Sequence, residues 1–242
     1  MLSGTIGSQV AANQDPKNGV PIIIAAIMMQ GLGFWVSLLT IGIFIQKIFC
    51  GTKFPPPSAR FGLYMFVGSP GFTTLALVAC GRAASSSGVF YMDFILGTTG
   101  AGEIARVFLD LFGAFFWGLT AWLCAFASVA IIMGCFSGPH FGSEMTFSLS
   151  WFAFVFPNVG FTIGTMLLAE EFNSQALKIV TAVMTVILAI GVSLLWFGAI
   201  RAVAKRYIMM PGKDEDKPIA AFRGEFDRFE ERYPSEAQYK MS

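Results

Sequence analysis

Five long apolar stretches limit most strongly what this chain can fold into. Each is long enough to cross a hydrocarbon core of roughly 30 Å at a helical rise of about 1.5 Å per residue. Small and apolar residues dominate them without the polar and apolar alternation of barrel strands, so they predict helices. We therefore expect an all-α integral membrane protein with five complete transmembrane helices in a domain spanning residues 20–204. The stretches run over residues 20–49, 61–80, 107–134, 147–169 and 179–204.

The distribution of charge supports this prediction. Charged residues make up 13% of the chain, against roughly 25% in a typical soluble domain. Nine of the 16 basic residues and eight of the 15 acidic residues follow residue 200. Residues 205–242 are therefore predicted to form a tail outside the membrane. The chain also lacks the basic face of a nucleic-acid-binding module, so no nucleic-acid partner is expected.

Basic residues in the connections predict the orientation. Lys53 and Arg60 lie in a linker without acids, and Arg201 opens the tail. By the positive-inside rule, both segments are cytoplasmic. Alternation of the helices then places the connections near Arg82 and Glu171 outside.

The tail contains one amphipathic pattern. Phe222, Phe226, Phe229 and Tyr233 recur at intervals of three or four residues, which places them on one face of a short helix. Such a helix can pack beneath the membrane domain, or it can bind the membrane surface or a partner.

Two stretches contain similar motifs. Gly-Phe-Thr occurs at 71–73 and again at 160–162, in both cases shortly after a proline. Thr-Ile-Gly-Thr at 162–165 resembles Thr-Ile-Gly-Ser at 5–8. These repeats predict copies of one helical unit. Residues 1–13 are then expected to be the end of a truncated helix, and the chain to be a truncated product or one completed by a partner.

Prolines indicate where these helices bend. A proline inside a helix removes one backbone hydrogen bond and costs about 3 kcal/mol. The freed carbonyl is tolerated in a membrane where it meets water or a neighbouring helix, which is why interrupted helices often line transport pathways. The alternative is that these residues serve ordinary helix packing. The predicted kink residues are Pro70, Gly71, Pro157 and Gly160.

Polar residues within the stretches are mostly uncharged. Side chains with hydroxyl or amide groups, among them Ser69, lie near both prolines. Arg106 and Asp110 lie one helical turn apart, which predicts a pair at the membrane interface. A path lined by hydroxyls, backbone dipoles and aromatic rings suits an anion that must pass through, because a fixed cation could hold it too firmly.

The chain shows no arrangement typical of a catalytic or metal site. His140 is the only histidine, and the four cysteines have no CxxC spacing. Paired acids and an activated nucleophile are not visible either. We therefore expect no enzyme activity, catalytic residue, cofactor or metal.

Two motifs carry a family resemblance. Ser-Trp-Phe-Ala-Phe-Val-Phe-Pro-Asn at 150–158 resembles the penultimate-helix signature of the tellurite-resistance and dicarboxylate transporter family, also called the voltage-dependent anion channel family. Its members include bacterial tellurite-resistance proteins, plant slow anion channels, fungal sulfite efflux pumps and fungal malic acid permeases. The run at 67–73 is similar to the family's seventh-helix motif. The sequences at 156–158 and 211–216 are most similar to the malic acid permease branch.

The resemblance implies a fold of ten helices, arranged as five hairpins around a pore. This chain supplies the last five of the ten helices. It also implies a homo-oligomer, often a trimer, in the plasma membrane with a cytoplasmic C-terminus. The expected function is transport of organic anions such as malate or other C4-dicarboxylates, with sulfite or another inorganic anion as the alternative. A truncated, non-conducting membrane protein is the alternative of another class. Phe156 is the expected pore gate, and the expected lining residues are Phe72, Thr73, Thr74, Asn158, Phe161 and Thr162.

Overall fold

The structure, a computed structural model, describes residues 2–50, 54–86, 100–142, 145 and 147–204. Within these ranges the regular structure is entirely helical, and five helices are long and apolar enough to span a membrane. The predicted all-α membrane fold is thereby confirmed. The helices are α1 (Ser3–Ala12), α2 (Pro16–Phe49), α3 (Met65–Ser86), α4 (Ala101–Cys135), α5 (Val155–Glu171) and α6 (Gln175–Ala204).

The chain divides into two compact units, Met1–Leu195 and Trp196–Ser242. The first contains α1 to α5 and most of α6. Of the second, the structure describes residues 196–204, which are the end of α6. The predicted tail over 205–242, with its amphipathic helix, lies outside the described residues.

Helix α3 lies at the centre of the first unit. It packs against α1, α2, α4 and α5, and small or apolar residues on its different sides, such as Val67, Val78, Cys80 and Ala84, are fully buried. A helix that is apolar on all sides is suited to this position, because every side must meet another helix. Most residues on α3 after Met65 are therefore shielded from lipid by their neighbours.

Helix α1 packs tightly through its glycines. A Cβ atom built on Gly4 would fall 2.7 Å from the Cβ atom of Ala76 in α3. One built on Gly7 would fall 2.5 Å from the Cβ atom of Ala26 in α2. These distances are too short for any side chain, so both positions require glycine for close helix contact.

Short 3₁₀ segments precede both helices that carry the predicted motif. Pro57–Tyr64 leads directly into α3, and Leu149–Phe154 leads directly into α5. The two segments contact each other. The hydroxyl of Ser150 donates a hydrogen bond to the carbonyl of Ser58 across this contact, at 3.4 Å. Both copies of the motif therefore follow a 3₁₀ segment, so they share local structure as well as sequence.

The prolines lie near the beginnings of these helices. Pro70 is in the second turn of α3, and Pro157 is in the first turn of α5. A first-turn N–H has no partner within its own α-helix, so Pro157 deletes little there. At Pro157 the change in geometry is the transition from the 3₁₀ segment to α-helix. Helix α2 also contains an internal proline, Pro21.

Candidate functional site

Helices α3 and α5 run parallel and meet through glycines. Gly68 faces Pro157, with 3.3 Å between its built Cβ atom and that of the proline. Further along, a Cβ atom on Gly164 would fall 3.3 Å from the methyl group of Thr74. Residue numbers rise together on both helices, which gives the parallel direction. Small residues at such a contact allow two backbones to approach closely.

The two copies of the Gly-Phe motif face each other at this crossing. A Cβ atom built on Gly71 would fall 3.2 Å from the backbone nitrogen of Phe161. One built on Gly160 would fall 2.9 Å from the ring of Phe72. The glycine of each copy therefore lies against the phenylalanine of the other, Gly71 against its backbone and Gly160 against its ring, and the repeat seen in the sequence is a reciprocal contact in the fold.

A groove of about 380 Å³ lies beside the N-terminal halves of these helices. The rings of Phe72 and Phe156 meet there, with centroids 4.8 Å apart and an interplanar angle of 36°. Phe72 is 6% exposed, whereas Phe156 is 57% exposed. The structure thus brings the predicted gate into contact with one predicted lining residue. The groove is lined by Leu2, Ser37, Met65, Gly68, Ser69, Phe72, Ala153, Phe156 and Pro157.

Ser69 is one of two serines, with Ser37, among the mostly apolar residues that line this groove. Its hydroxyl oxygen is buried and has no hydrogen-bond partner within the described part of the chain. Its carbonyl accepts a hydrogen bond from the hydroxyl of Thr73 at 2.8 Å. That hydroxyl accepts one from the side-chain amide of Gln30 at 3.0 Å. Thr73, a predicted lining residue, is therefore engaged with α2, while Ser69 faces the groove.

Ser69 and Gln30 are absent from the lining residues predicted from the sequence. Ser69 stands directly before Pro70 among other hydroxyl residues, which is a usable signal. Gln30 lies in the middle of the first apolar stretch, and it is fully buried. A lone amide in such a stretch is itself a signal, because it must find a polar partner on another helix.

Thr74 and Thr162 bond to helix backbone. The Thr74 hydroxyl donates to the carbonyl of Pro70 at 3.0 Å and to that of Gly113 in α4 at 3.3 Å. The Thr162 hydroxyl donates to the carbonyl of Asn158 at 2.7 Å. Both side chains are buried, and their role in lining a pore stays a prediction.

Asn158 and Phe161 contact α4. The Asn158 amide donates to the carbonyl of Phe154 at 2.7 Å, and its oxygen lies 3.7 Å from the Cys124 sulfur. The ring of Phe161 lies 5.9 Å from that of Trp117. These contacts explain why both side chains are buried, and their predicted role as lining residues likewise stays a prediction.

A charged cluster joins α3, α4 and α5 at the end of the unit where α5 stops. Arg82 of α3 pairs with Glu170 at 2.8 Å and also with Glu171. Its second terminal nitrogen donates to the carbonyl of Leu167 at 3.0 Å, near the C-terminal end of α5. Arg106 of α4 donates twice to Glu171, at 2.7 and 3.0 Å. The two arginines therefore hold three helix ends together.

The predicted interfacial pair between Arg106 and Asp110 is wrong. Arg106 binds Glu171 instead, and Asp110 is buried, with 6% exposure. The physical reason is the position of Glu171 at the C-terminal end of α5. The negative end of the helix dipole disfavours a carboxylate there unless cations are close. Arginines on neighbouring helices supply these cations. Residue spacing along α4 alone could not predict a contact between different helices.

Fold and site together define a helical integral membrane protein with an uncharged groove beside two helices that each follow a 3₁₀ segment. The pattern of the voltage-dependent anion channel family matches residues 1–200. The chain belongs to this family, as the motifs in its fourth apolar stretch predicted.

Two relatives from Schizosaccharomyces pombe match most of this chain. It is 33% identical to a malic acid transport protein over 89% of its own length and 47% of the relative. It is 29% identical to a putative malic acid transport protein over 89% of its length and 48% of that relative. The chain thus spans about half the length of either relative. No solved structure matches it.

Proposed function

We propose that this protein transports organic anions across a membrane, with malate or another C4-dicarboxylate as substrate. Membership of an anion channel family and the names of its two relatives support the proposal. The observation that carries it is the contact between Phe72 and Phe156 in an uncharged groove. This groove forms part of the anion path in our proposal.

The chemistry of the groove suits passage of an anion rather than its retention. The Ser69 hydroxyl provides a hydrogen-bond donor without a positive charge, and the edges of aromatic rings carry partial positive charge. Neither group binds an anion as firmly as an arginine or lysine would. Fast release of the substrate is the expected consequence.

Phe156 is the proposed gate because it can move at little cost. More than half of its side chain is exposed, so rotation away from Phe72 would break few packing contacts. Phe72 is held by Gly160 and is buried. The pair therefore combines one fixed ring with one movable ring, as a gate requires.

The remaining parts of the proposal concern location and assembly. The basic residues of the linker and tail favour a cytoplasmic C-terminus, and the plasma membrane is the location that the family resemblance implies. Assembly as a homo-oligomer, with the trimer as the form implied by the family resemblance, also stays a prediction. Neither depends on the groove.

The proposal is tested by uptake of radiolabelled malate into liposomes that contain the purified protein. We expect uptake above that of empty liposomes, and a several-fold increase in the Phe156→Ala variant. Phe115→Ala is the matched control, because Phe115 is an exposed phenylalanine of α4 outside the groove. It should leave uptake unchanged.

Competition defines the substrate class. Excess unlabelled malate or succinate should reduce the uptake, whereas sulfite should compete weakly. Stronger competition by sulfite would assign an inorganic anion. Liposomes with correctly inserted protein that take up neither anion would refute transport, and equal uptake by wild type and Phe156→Ala would remove the gate role.

A further inference from the structure

Asp110 is a buried acid without a full set of partners. Its residue is 6% exposed, and its Oδ1 atom has no hydrogen-bond partner among the residues that the structure describes. It lies within a predicted membrane-spanning helix. An ionised carboxylate in such a place is costly unless it is paired, and it is a functional candidate for that reason.

Charged groups face Asp110 from three helices. Arg82 lies on α3, and Arg106 on α4 itself. From α5 comes Glu171, which interacts electrostatically with Asp110 and is bound by Arg106, one helical turn before Asp110 on α4. Two further acids border the cluster: Glu170 binds Arg82, and Glu103 lies one turn before Arg106 and interacts with it electrostatically.

Glu171 is held in its ionised form. One of its oxygens accepts a hydrogen bond from Arg82, and the other accepts two from Arg106. The Glu171 side chain is 6% exposed, so these arginines take the place of water. Charge-assisted bonds of this kind favour the carboxylate over the acid.

Asp110 therefore bears the excess negative charge of the cluster. Two guanidinium groups face the three carboxyl groups of Glu170, Glu171 and Asp110, and the arginine hydrogen bonds described above go to the two glutamates. Two adjacent carboxylates repel, and a single proton between them replaces the repulsion with a hydrogen bond.

We propose that Asp110 and Glu171 form a proton-binding site at this end of the membrane domain. The proton comes from solvent and adds to the Asp110 carboxylate; its O–H group then donates to the Glu171 carboxylate, and no other bond breaks. Partly exposed Arg106 and Glu170 connect the site to the surface. The site does not depend on whether the protein transports anions.

Infrared spectroscopy of the purified protein tests the site. At about pH 6, exposed carboxyl groups are already ionised, so a carbonyl stretch of a protonated carboxylic acid reports a buried one. We expect this band in the wild type, with a shift in deuterated water. Asp110→Asn should remove it, because an amide has the same shape without the acid. Glu171→Gln should also remove it, since Asp110 then ionises beside the freed arginines.

The control is Glu103→Gln, which removes an exposed carboxyl group from the same helix. This variant should keep the band. Circular dichroism confirms that each variant is folded. Absence of the band from the wild type, or its persistence in Asp110→Asn, would overturn the proposal.

The pH dependence of the melting temperature is a second test of the site. If folding takes up this proton, the melting temperature falls as pH rises from about 5 to the pH at which the infrared band disappears. Asp110→Asn should have a flatter profile and, above that pH, melt about 2–4 °C higher than the wild type. Parallel profiles for the two proteins would contradict a proton on Asp110.

Discussion

The two ends of the α3–α5 pair differ in how they are held together. At the N-terminal end, aromatic rings and the Ser69 hydroxyl, which has no partner among the described residues, border a groove. At the C-terminal end, Arg82 binds the last residues of α5. Between them lies the glycine crossing, where the backbones approach most closely. One helix pair therefore combines an uncharged, partly open end with a charged, closed end.

The difference separates the residues that hold the helix ends together from the residues that line the groove. Fixed cations stabilise the C-terminal end, where they neutralise glutamates and cap helix carbonyls. The groove has none among its lining residues. In the proposed path the anion does not meet these arginines, which are engaged with Glu170 and Glu171. Variants that weaken one end at a time test this difference.

The charged end should give the largest loss of stability. Glu171→Ala leaves Arg82 and Arg106 without their shared partner, so we expect the free energy of unfolding to fall by about 2–3 kcal/mol. Denaturant titration in detergent micelles, followed by circular dichroism, measures this. Glu170→Ala is the control; its half-exposed side chain should contribute less than about 1 kcal/mol. Similar losses for both variants would show that Glu171 is not central to the cluster.

The glycine crossing should rank second. In Gly160→Ala the new methyl group would meet the buried ring of Phe72, and we expect a loss of about 1–2 kcal/mol. The same denaturant titration applies. Gly118→Ala on α4 meets open space and should gain up to about 1 kcal/mol from helix propensity. A neutral Gly160→Ala would mean that α3 and α5 can separate without cost.

The groove should give the smallest change in stability. Ser69→Ala removes a hydroxyl that has no partner in the described residues, so the free energy of unfolding should change by less than about 0.5 kcal/mol. Thr74→Val, which removes a bonded hydroxyl of similar burial, should cost about 1 kcal/mol. The proposed path predicts that Ser69→Ala nevertheless reduces malate uptake. A large loss of stability in Ser69→Ala would instead assign that hydroxyl to packing.

Local sequence patterns predicted the helices and the motif through which two of them meet. Apolar length predicted the five spans, because only helices satisfy the backbone in lipid. The repeated Gly-Phe-Thr predicted related helices, although not that Gly71 and Gly160 face each other. The 3₁₀ segments before α3 and α5 were not predicted, since their apolar residues suit either helix type.

Contacts between distant residues could not be read from the sequence. Arg82 and Glu171 lie on different helices, and spacing along one helix carries no information about such a pair. The burial of Asp110 depends likewise on how α4 sits against α3 and α5. Thr73, and not Ser69, was predicted to line the path, yet Gln30 of α2 binds the threonine hydroxyl and Ser69 is the residue that lines the groove. Packing, rather than residue type, decided which of the two lies there.

The reciprocal contact between the Gly-Phe motifs has an evolutionary consequence. A side chain at position 160 would meet the ring of Phe72, so a larger residue there needs a smaller one at position 72, whereas a side chain at position 71 would meet the backbone of Phe161. Positions 72 and 160 should therefore change together across homologues, and position 71 should keep glycine. The duplicated unit would then have diverged least where its two copies touch, so its ancestry remains readable at the crossing after the rest of each helix has changed.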